Sequence, residues 1–168
     1  NGMTFMAHAT FNDFDDMGEL DLSKDYEGIL WMRERVEDSP TILEGVTPGY
    51  RWGSRYSIYT GLPAVAGWDW HQRQQRGKFG YLVTKRQQDV TTFYESADPA
   101  EQIAILDRYD VRYVVLGQLE RNYFPGPGLA NIEAGLNGRL QKVFDNGSTA
   151  IYAVTPRPIP GPPLARAP

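Results

Sequence analysis

The stretch DPAEQIAILDRYDVRYVVL (residues 98–116) decides the fold of this 168-residue chain. Asp98, Pro99 and Glu101 are typical of the N-cap, the first and the third position of a helix. Apolar side chains then recur at the three- to four-residue spacing of one helical face: Ile103, Leu106 and Tyr109. The almost continuously apolar residues 111–116 follow, and they predict a strand buried on both faces. A helix that leads into such a strand is a building block of α/β sheets.

Further helices and strands alternate on both sides of this stretch. Toward the N-terminus we predict, in order, a helix from Ser23 or Asp25 to Val36, a strand over residues 41–46 and a polar helix over residues 84–95. Toward the C-terminus we predict a short helix over residues 129–135 and a hairpin of strands 140–144 and 150–154 around Asn146-Gly147. The expected fold class is α/β. Its mixed parallel/antiparallel sheet has about four to five strands, with helices packed on it and a C-terminal hairpin.

The pattern divides the chain into three segments. Residues 1–22 show no clean period and are interpreted as an irregular N-terminal arm with one short strand at residues 3–7. Residues 23–155 form the α/β domain, and residues 156–168 form a Pro-rich tail. The acids of the arm do not follow the order of a calcium loop, so we expect a solvated face: Asp13, Asp15, Asp16, Glu19 and Asp21. The abrupt start at Asn1 leads us to expect a piece of a longer protein.

Composition excludes several classes of function. The chain has no cysteine, which rules out thiol nucleophiles, disulfides and cysteine-based zinc sites. His8 and His71 have no paired spacing, so we expect no metal ion and no other cofactor. A formal net charge of −4 gives no reason to expect nucleic acid as a partner. No apolar run reaches the roughly 18 to 20 residues of a membrane span.

A second segment, RYSIYTGLPAVAGWDWHQRQQR (residues 55–76), is too polar for an ordinary core and too aromatic for an idle loop. Trp, Tyr and Arg are the side chains that most often carry recognition energy. Residues 51–90 hold seven Lys or Arg and two Asp or Glu, so an anionic partner is favoured. Sugar rings pack on aromatic rings, and their hydroxyls pair with planar polar groups. The candidate ligand-binding residues are Tyr59, Trp68, Asp69, Trp70, His71, Arg73, Gln74 and Arg76.

Structural roles for the same residues stay open. Tyr59, Trp68 and Trp70 are also typical of an aromatic cover over the edge of a core, with the indole N–H of each Trp bonded to backbone. His71 beside Asp69 has the composition of an oriented general base, but a lone His in an aromatic loop is more often a structural hydrogen-bond donor. Glu44 and Asp69 supply the two carboxylates of a glycosidase, although their spacing does not bring them together. We therefore expect no catalytic residue.

Secondary candidates come from two patterns. The basic side chains form either a phosphate-binding surface or a solvated loop paired with the acidic arm: Arg51, Arg55, Arg73, Arg76 and Lys78. Open α/β sheets bind ligands at the carboxyl ends of their strands, and residues 117–121 follow the strand over residues 111–116. The secondary site residues are therefore Arg55, Gln118, Glu120 and Arg121.

The order of these motifs resembles the C-terminal extramembrane region of the YYY-type polytopic membrane proteins of bacteria and archaea. That family is similar in layout to the type C glycosyltransferases, which use lipid-linked sugars. The resemblance covers roughly residues 2–155. It rests on Tyr59-Thr60-Gly61-Leu62-Pro63, Gly67-Trp68, His71, Gln74, Arg76, residues 109–114 and residues 117–121. Trp68-Asp69-Trp70 is also similar to the Trp-Trp-Asp acceptor-reading motif of oligosaccharyltransferases, but it lacks the adjacent Trp pair.

The resemblance implies a non-catalytic extracytoplasmic domain of a membrane-embedded glycosyltransferase-like protein. In type C glycosyltransferases the catalytic acids lie in loops between membrane helices, so the parent protein rather than this segment would carry the reaction. The implied partners are the upstream transmembrane region and a lipid-linked sugar or glycan acceptor. Two other classes stay open: a stand-alone carbohydrate-binding or hydrolytic domain, and a structural domain that packs on partner proteins.

Overall fold

The computed structural model describes residues 2–12 and 18–156, and these residues form seven α-helices and six strands. The helices are α1 (Leu22–Arg35), α2 (Arg55–Thr60), α3 (Asp69–Arg76), α4 (Gly80–Glu95), α5 (Pro99–Arg108), α6 (Gln118–Tyr123) and α7 (Pro127–Glu133). The strands are β1 (Thr10–Asn12), β2 (Glu19–Asp21), β3 (Thr41–Leu43), β4 (Val111–Leu116), β5 (Leu140–Asp145) and β6 (Ala150–Val154). Three short 3₁₀ helices cover Thr4–His8, Gly77–Phe79 and Leu136–Gly138.

The main sheet has four strands in the order β3-β4-β6-β5. β3 runs parallel to β4, whereas β4–β6 and β6–β5 are antiparallel pairs. β5 and β6 form the predicted C-terminal hairpin, in which the Asn146 side chain accepts hydrogen bonds from the N–H groups of Ser148 and Thr149. The α/β class and the mixed sheet are therefore confirmed. A separate two-stranded sheet pairs β1 with β2.

The deciding stretch folds as its sequence predicts. The Asp98 carboxylate accepts a hydrogen bond from Ala100 N at 2.8 Å, and Pro99 occupies the first turn of α5. β4 is buried on both faces, because Val115 packs with one hydrophobic cluster while Val114 and Leu116 pack with the other. Alternate side chains of a strand point to opposite faces, so one strand serves both cores.

Layers of helix cover the two faces of the sheet. One cluster joins the sheet to α4, α5 and α7, and includes Phe93, Leu106 and Ile132. The other joins it to α1 and to the N-terminal residues. Met3, Met6 and Leu20 are buried in this second cluster, so residues expected to form an irregular arm contribute to the core. Of the acids in that segment, Asp13, Asp15 and Asp16 lie outside the described residues, as does nearly all of the Pro-rich tail.

Several predicted element boundaries are corrected. Residues 3–7 were expected as a strand, but Thr4–His8 is a 3₁₀ helix. The strand over residues 41–46 ends at Leu43, and the helix over residues 84–95 begins four residues earlier, at Gly80. Asp21, rather than Ser23 or Asp25, caps α1 by accepting from Ser23 N. Three helices were missed, namely α2, α3 and α6. No helix among the described residues is long and apolar enough to cross a membrane.

Candidate functional site

The predicted aromatic segment contains a helical projection whose side chains face solvent. None of the sixteen residues from 67 to 82 is buried, and they comprise α3, the 3₁₀ turn Gly77–Phe79 and the start of α4. We call residues 67–82 the aromatic hairpin. An eight-residue helix without a buried face gains almost nothing from core packing. The surface of the aromatic hairpin is therefore available for a ligand or a partner.

Contacts at both ends show that α3 and α4 run antiparallel. Near the start of α3, the side-chain amide of Gln87 donates to Gly67 O at 2.9 Å. Near its end, the side chain of Arg73 lies 3.8 Å from the position that a Cβ on Gly80 would occupy. The connection between them includes Gly77 at φ 48°, a left-handed conformation that favours glycine. The turn of residues 77–79 consequently forms the end of the projection.

The sequence of α3 stabilises a helix through its charges. Asp69 lies in the first turn and Arg76 in the last, which matches the helix dipole. The Asp69 carboxylate also accepts from Arg73 Nε four residues later, as an i,i+4 ion pair. This pairing occupies the acid that sequence analysis placed beside His71. The His71 ring instead packs 5.6 Å from the Trp68 ring, measured between centroids.

The aromatic hairpin concentrates exposed apolar side chains. Eight large hydrophobic residues are exposed in the described part of the chain, and five of them lie in it: Trp68, Trp70, Phe79, Tyr81 and Leu82. Trp70 keeps 63% of its surface exposed. Such grouping is unusual for a protein surface without a binding role. The aromatic cover over a core edge, predicted as the alternative for Trp70, does not describe this arrangement.

The remaining primary candidates lie close to this surface. Gln74 and Arg76 are exposed on α3. Trp68 donates its indole N–H to Gly53 O at 3.3 Å, which fixes the base of the aromatic hairpin to the segment before α2. Tyr59 lies on α2 and packs against Trp52 with ring centroids 6.0 Å apart. Tyr59 is therefore a neighbour of that segment rather than part of the aromatic hairpin.

Arg55 and Glu120 meet, but in the interior. Arg55 is 1% exposed, and its guanidinium donates to both oxygens of Glu120 at 3.0 and 2.9 Å and to Asp25 Oδ2 at 2.6 Å. Glu44 completes this buried charge cluster of four residues, 3.9 Å from Arg55. Glu44 also accepts from Tyr56 N and Ser57 N at the start of α2. Arg55 is therefore not part of the predicted basic surface, and Glu44 is not free to act as one carboxylate of a glycosidase pair.

The carboxylates of the buried charge cluster differ in proton affinity. Burial opposes the ionisation of Glu120, but Arg55 and the N–H groups of Gly45 and Gly117 outweigh it and hold the pKa of Glu120 below its ordinary value. Burial raises the pKa of Asp25, even though Arg55 and Trp52 act in the opposite direction. Asp25 Oδ1 is buried without a hydrogen-bond partner, which fits the weaker hold on its charge.

The two other secondary candidates connect elements of the fold. Gln118 exchanges hydrogen bonds with the backbone of Asp21, and so links α6 to the start of α1. Arg121 donates to Leu116 O and Ser148 O, and it pairs with Glu133 at 3.1 Å. These contacts explain both side chains as links between strand ends and helices. The hydrogen bonds that the aromatic hairpin makes with the rest of the domain instead go to Gly53 and Gln87.

A separate open groove of 530 Å³ lies at the amino ends of β3 and β4. Glu37, Asp38 and Asp110 line it, and Asp110 pairs with Arg112 at 3.3 Å. The groove is acidic and lies at the opposite strand ends from Glu120. Among the described residues, no group of three His, Asp or Glu is placed to hold a metal ion.

Part of the exposed surface lies outside the segment predicted from the sequence. Phe79, Tyr81 and Leu82 extend it beyond Arg76, and Lys78 Nζ lies 5.3 Å from the centre of the Phe79 ring. The signal was present, since Phe79 and Leu82 are spaced three apart and Tyr81 adjoins Leu82. It was missed because the helix was predicted to begin at Thr84, which left these residues in a loop.

Comparison with known proteins gives a distant structural neighbour. No family model matches the chain, so the resemblance to YYY-type membrane proteins stays a prediction. No curated protein matches it either. One solved structure to which the chain is similar is the C-terminal globular domain of the oligosaccharyltransferase from Archaeoglobus fulgidus. The TM-score is 0.48 at 15% sequence identity, over 77% of this chain and 96% of that chain.

Proposed function

We propose that this chain is a non-catalytic, extracytoplasmic domain of a membrane-embedded glycosyltransferase-like protein. Its aromatic hairpin helps to hold a lipid-linked sugar or a glycan acceptor, and the upstream transmembrane region of the parent protein carries the reaction. The observation that carries the proposal is the exposure of Trp68, immediately before α3, and of Trp70 on α3, beside the planar polar side chains of that helix.

The chemistry of α3 suits a sugar phosphate. Exposed indole rings offer flat apolar surfaces for the C–H face of a sugar, and Gln74 offers donors and an acceptor for its hydroxyls. Arg73, which lies beside Gln74 and three residues after Trp70 on α3, supplies a guanidinium that matches phosphate oxygens. Arg73 is oriented by Asp69, so its remaining N–H groups point from a defined position. These groups lie within two turns of helix, which is the span of one or two sugar units.

A titration with a water-soluble, short-chain polyprenyl-phosphate sugar tests this proposal without any bilayer. Trp70→Ala should weaken binding at least fivefold, because an exposed aromatic anchor typically contributes more than about 1 kcal/mol. The same variant should leave the free energy of unfolding within about 0.5 kcal/mol, since Trp70 is mostly exposed. Ile58→Ala, which removes an exposed apolar side chain from α2, is the matched control.

The outcome separates the candidate functions. Binding by the wild type that Trp70→Ala weakens and Ile58→Ala does not supports the proposal. Equal affinity for the sugar with and without its phosphate favours a stand-alone carbohydrate-binding domain instead. Lack of wild-type binding to either compound refutes a sugar-holding role and leaves a structural domain.

A further inference from the structure

The far end of the aromatic hairpin carries side chains that the proposed sugar contacts do not use. We call Arg76, Lys78, Phe79, Tyr81 and Leu82 the hairpin tip. Tyr81 keeps 65% of its surface exposed, and about half of Phe79 and of Leu82 faces solvent. Val83 is the next residue along α4, and it is buried in the domain. The exposed apolar surface therefore ends sharply where α4 enters the core.

Positive charge accompanies this apolar surface. Among the described residues, Arg76 and Lys78 have no carboxylate within salt-bridge distance, whereas most other ionic side chains nearby are paired. The chain as a whole carries a formal net charge of −4. An attraction to an anionic surface would therefore come from a local group of basic side chains, such as the hairpin tip, and not from the overall charge.

We infer that the hairpin tip inserts into the interface of a lipid bilayer that contains anionic lipids, with Tyr81, Leu82 and Phe79 at the acyl boundary and Arg76 and Lys78 at the phosphates. Aromatic rings prefer the boundary between headgroups and acyl chains. Lys and Arg beside them gain from the negative surface potential. Apolar area combined with basic charge is the composition of segments that lie in this interface.

The size and shape of the hairpin tip favour a bilayer over a protein partner. A stable protein interface uses about 20 to 30 residues on each side, and five side chains at the end of two helices fall far below that number. A bilayer accepts a narrow convex projection, because lipids rearrange around it. The inference does not depend on the proposed sugar ligand, since it uses different residues and a different partner.

Flotation of the full 168-residue chain with vesicles tests the inference, in the absence of any sugar lipid. One set of vesicles contains phosphatidylcholine alone, and the other contains equal parts of phosphatidylcholine and phosphatidylglycerol. The wild type should bind the anionic vesicles, with affinity that falls as salt rises, and should bind the neutral ones at least fivefold more weakly. The double variant Tyr81→Ser/Leu82→Ser should lose at least tenfold in affinity.

Matched variants isolate the hairpin tip. Lys78→Gln should weaken binding to anionic vesicles about fivefold, whereas Lys24→Gln on α1 removes the same charge and should change little. Ile58→Ser on α2 controls for the loss of an exposed apolar side chain. Circular dichroism and thermal melting of each variant establish that it is folded.

Three results would overturn the inference. The first is that the wild type does not float with anionic vesicles. The second is equal loss of binding in Lys78→Gln and Lys24→Gln, which would show a diffuse charge effect. The third is a concentration-dependent dimer in analytical ultracentrifugation that Tyr81→Ser/Leu82→Ser abolishes, which would make a second copy of the chain the occupant. Failure of the sugar titration with intact vesicle binding would refute only the proposed function.

Discussion

Replacing Glu120 by Gln removes one charge from the buried charge cluster without changing its volume. Each Glu120 oxygen accepts two hydrogen bonds. Oε1 accepts from Gly45 N at 2.8 Å and Arg55 Nη1 at 3.0 Å, and Oε2 accepts from Gly117 N at 2.8 Å and Arg55 Nη2 at 2.9 Å. All four contacts are buried. In either orientation the glutamine amide NH₂ therefore faces two donors that it cannot satisfy.

The expected cost follows from those contacts. Two buried donors without an acceptor cost about 1–3 kcal/mol each. Breaking a buried ion pair by removing one partner typically costs about 3–5 kcal/mol, and the two estimates describe overlapping losses. We therefore expect Glu120→Gln to lower the free energy of unfolding by about 3–5 kcal/mol. That is a large part of the total stability of a typical domain, about 5–15 kcal/mol.

Urea unfolding followed by tryptophan fluorescence measures this loss. Trp52, one of the four tryptophans, donates to Asp25 Oδ2 at 3.0 Å, so part of the signal comes from the cluster itself. The pKa of Glu120 is lower in the folded state than its ordinary value of 4.5, so its stabilisation is complete above that pH and disappears as pH falls through the folded pKa. The difference between wild type and Glu120→Gln should accordingly narrow in acid.

A matched variant gives the comparison. Glu133→Gln removes a carboxylate that pairs with Arg121 at the surface, and it should cost no more than about 1 kcal/mol. Equal losses for Glu120→Gln and Glu133→Gln would refute the reasoning, as would a Glu120→Gln deficit that does not change between neutral and acidic pH.

Three further predictions concern the interior. Asp25→Asn should lower the free energy of unfolding by less than Glu120→Gln in the same urea series, about 2 kcal/mol or less, because Asp25 Oδ1 has no hydrogen-bond partner. Since burial raises the pKa of Asp25, its contribution to wild-type stability is lost as pH rises, and the difference in stability between wild type and Asp25→Asn should therefore shrink with rising pH. A difference that grows with pH would contradict the raised pKa of Asp25. Val114→Ala should lower the free energy of unfolding by roughly 1–3 kcal/mol, while Lys78→Ala should change it by no more than about 0.5 kcal/mol. Equal melting temperatures for these two variants would show that Val114 is not a core residue. Gly128→Ala should destabilise the protein strongly, because its Cβ would lie 2.2 Å from Tyr94 O. Gly49→Ala is the control, since a Cβ there meets no atom within 4 Å. Similar melting temperatures for the two variants would refute the clash at Gly128.

The sheet was predictable because its signals are local. The N-cap Asp98, the apolar run of β4 and the Asn146-Gly147 turn each specify a conformation within a few residues. The parallel pairing of β3 with β4 followed from the helices between them. Element ends were less predictable, since the end of β3 at Leu43 is set by neighbours distant in sequence, such as the Tyr94 hydroxyl bonded to Leu43 O.

The site was only half predictable, for a physical reason. The aromatic and basic composition of residues 55–76 predicted an exposed surface, and the exposed Trp70 fits that prediction. Composition does not, however, indicate which arginine is buried. Arg55 enters the interior because three acids from distant segments surround it, one each on α1, after β3 and on α6. None of these acids is near Arg55 in sequence, so no spacing rule identifies the cluster.

The buried charge cluster and the exposed aromatic hairpin are connected through four consecutive residues. Trp52 and Arg55 both donate to Asp25, and Gly53 O, between them, accepts from the Trp68 indole. Residues 52–55 are therefore fixed toward the interior by their contacts with Asp25. Toward the surface, the same residues bind the base of the aromatic hairpin through Gly53 O. A short helix without a buried face has little stability of its own, so its position must be set by such anchors. Buried charges that contribute little net stability by themselves can still fix the placement of the surface that recognises a ligand.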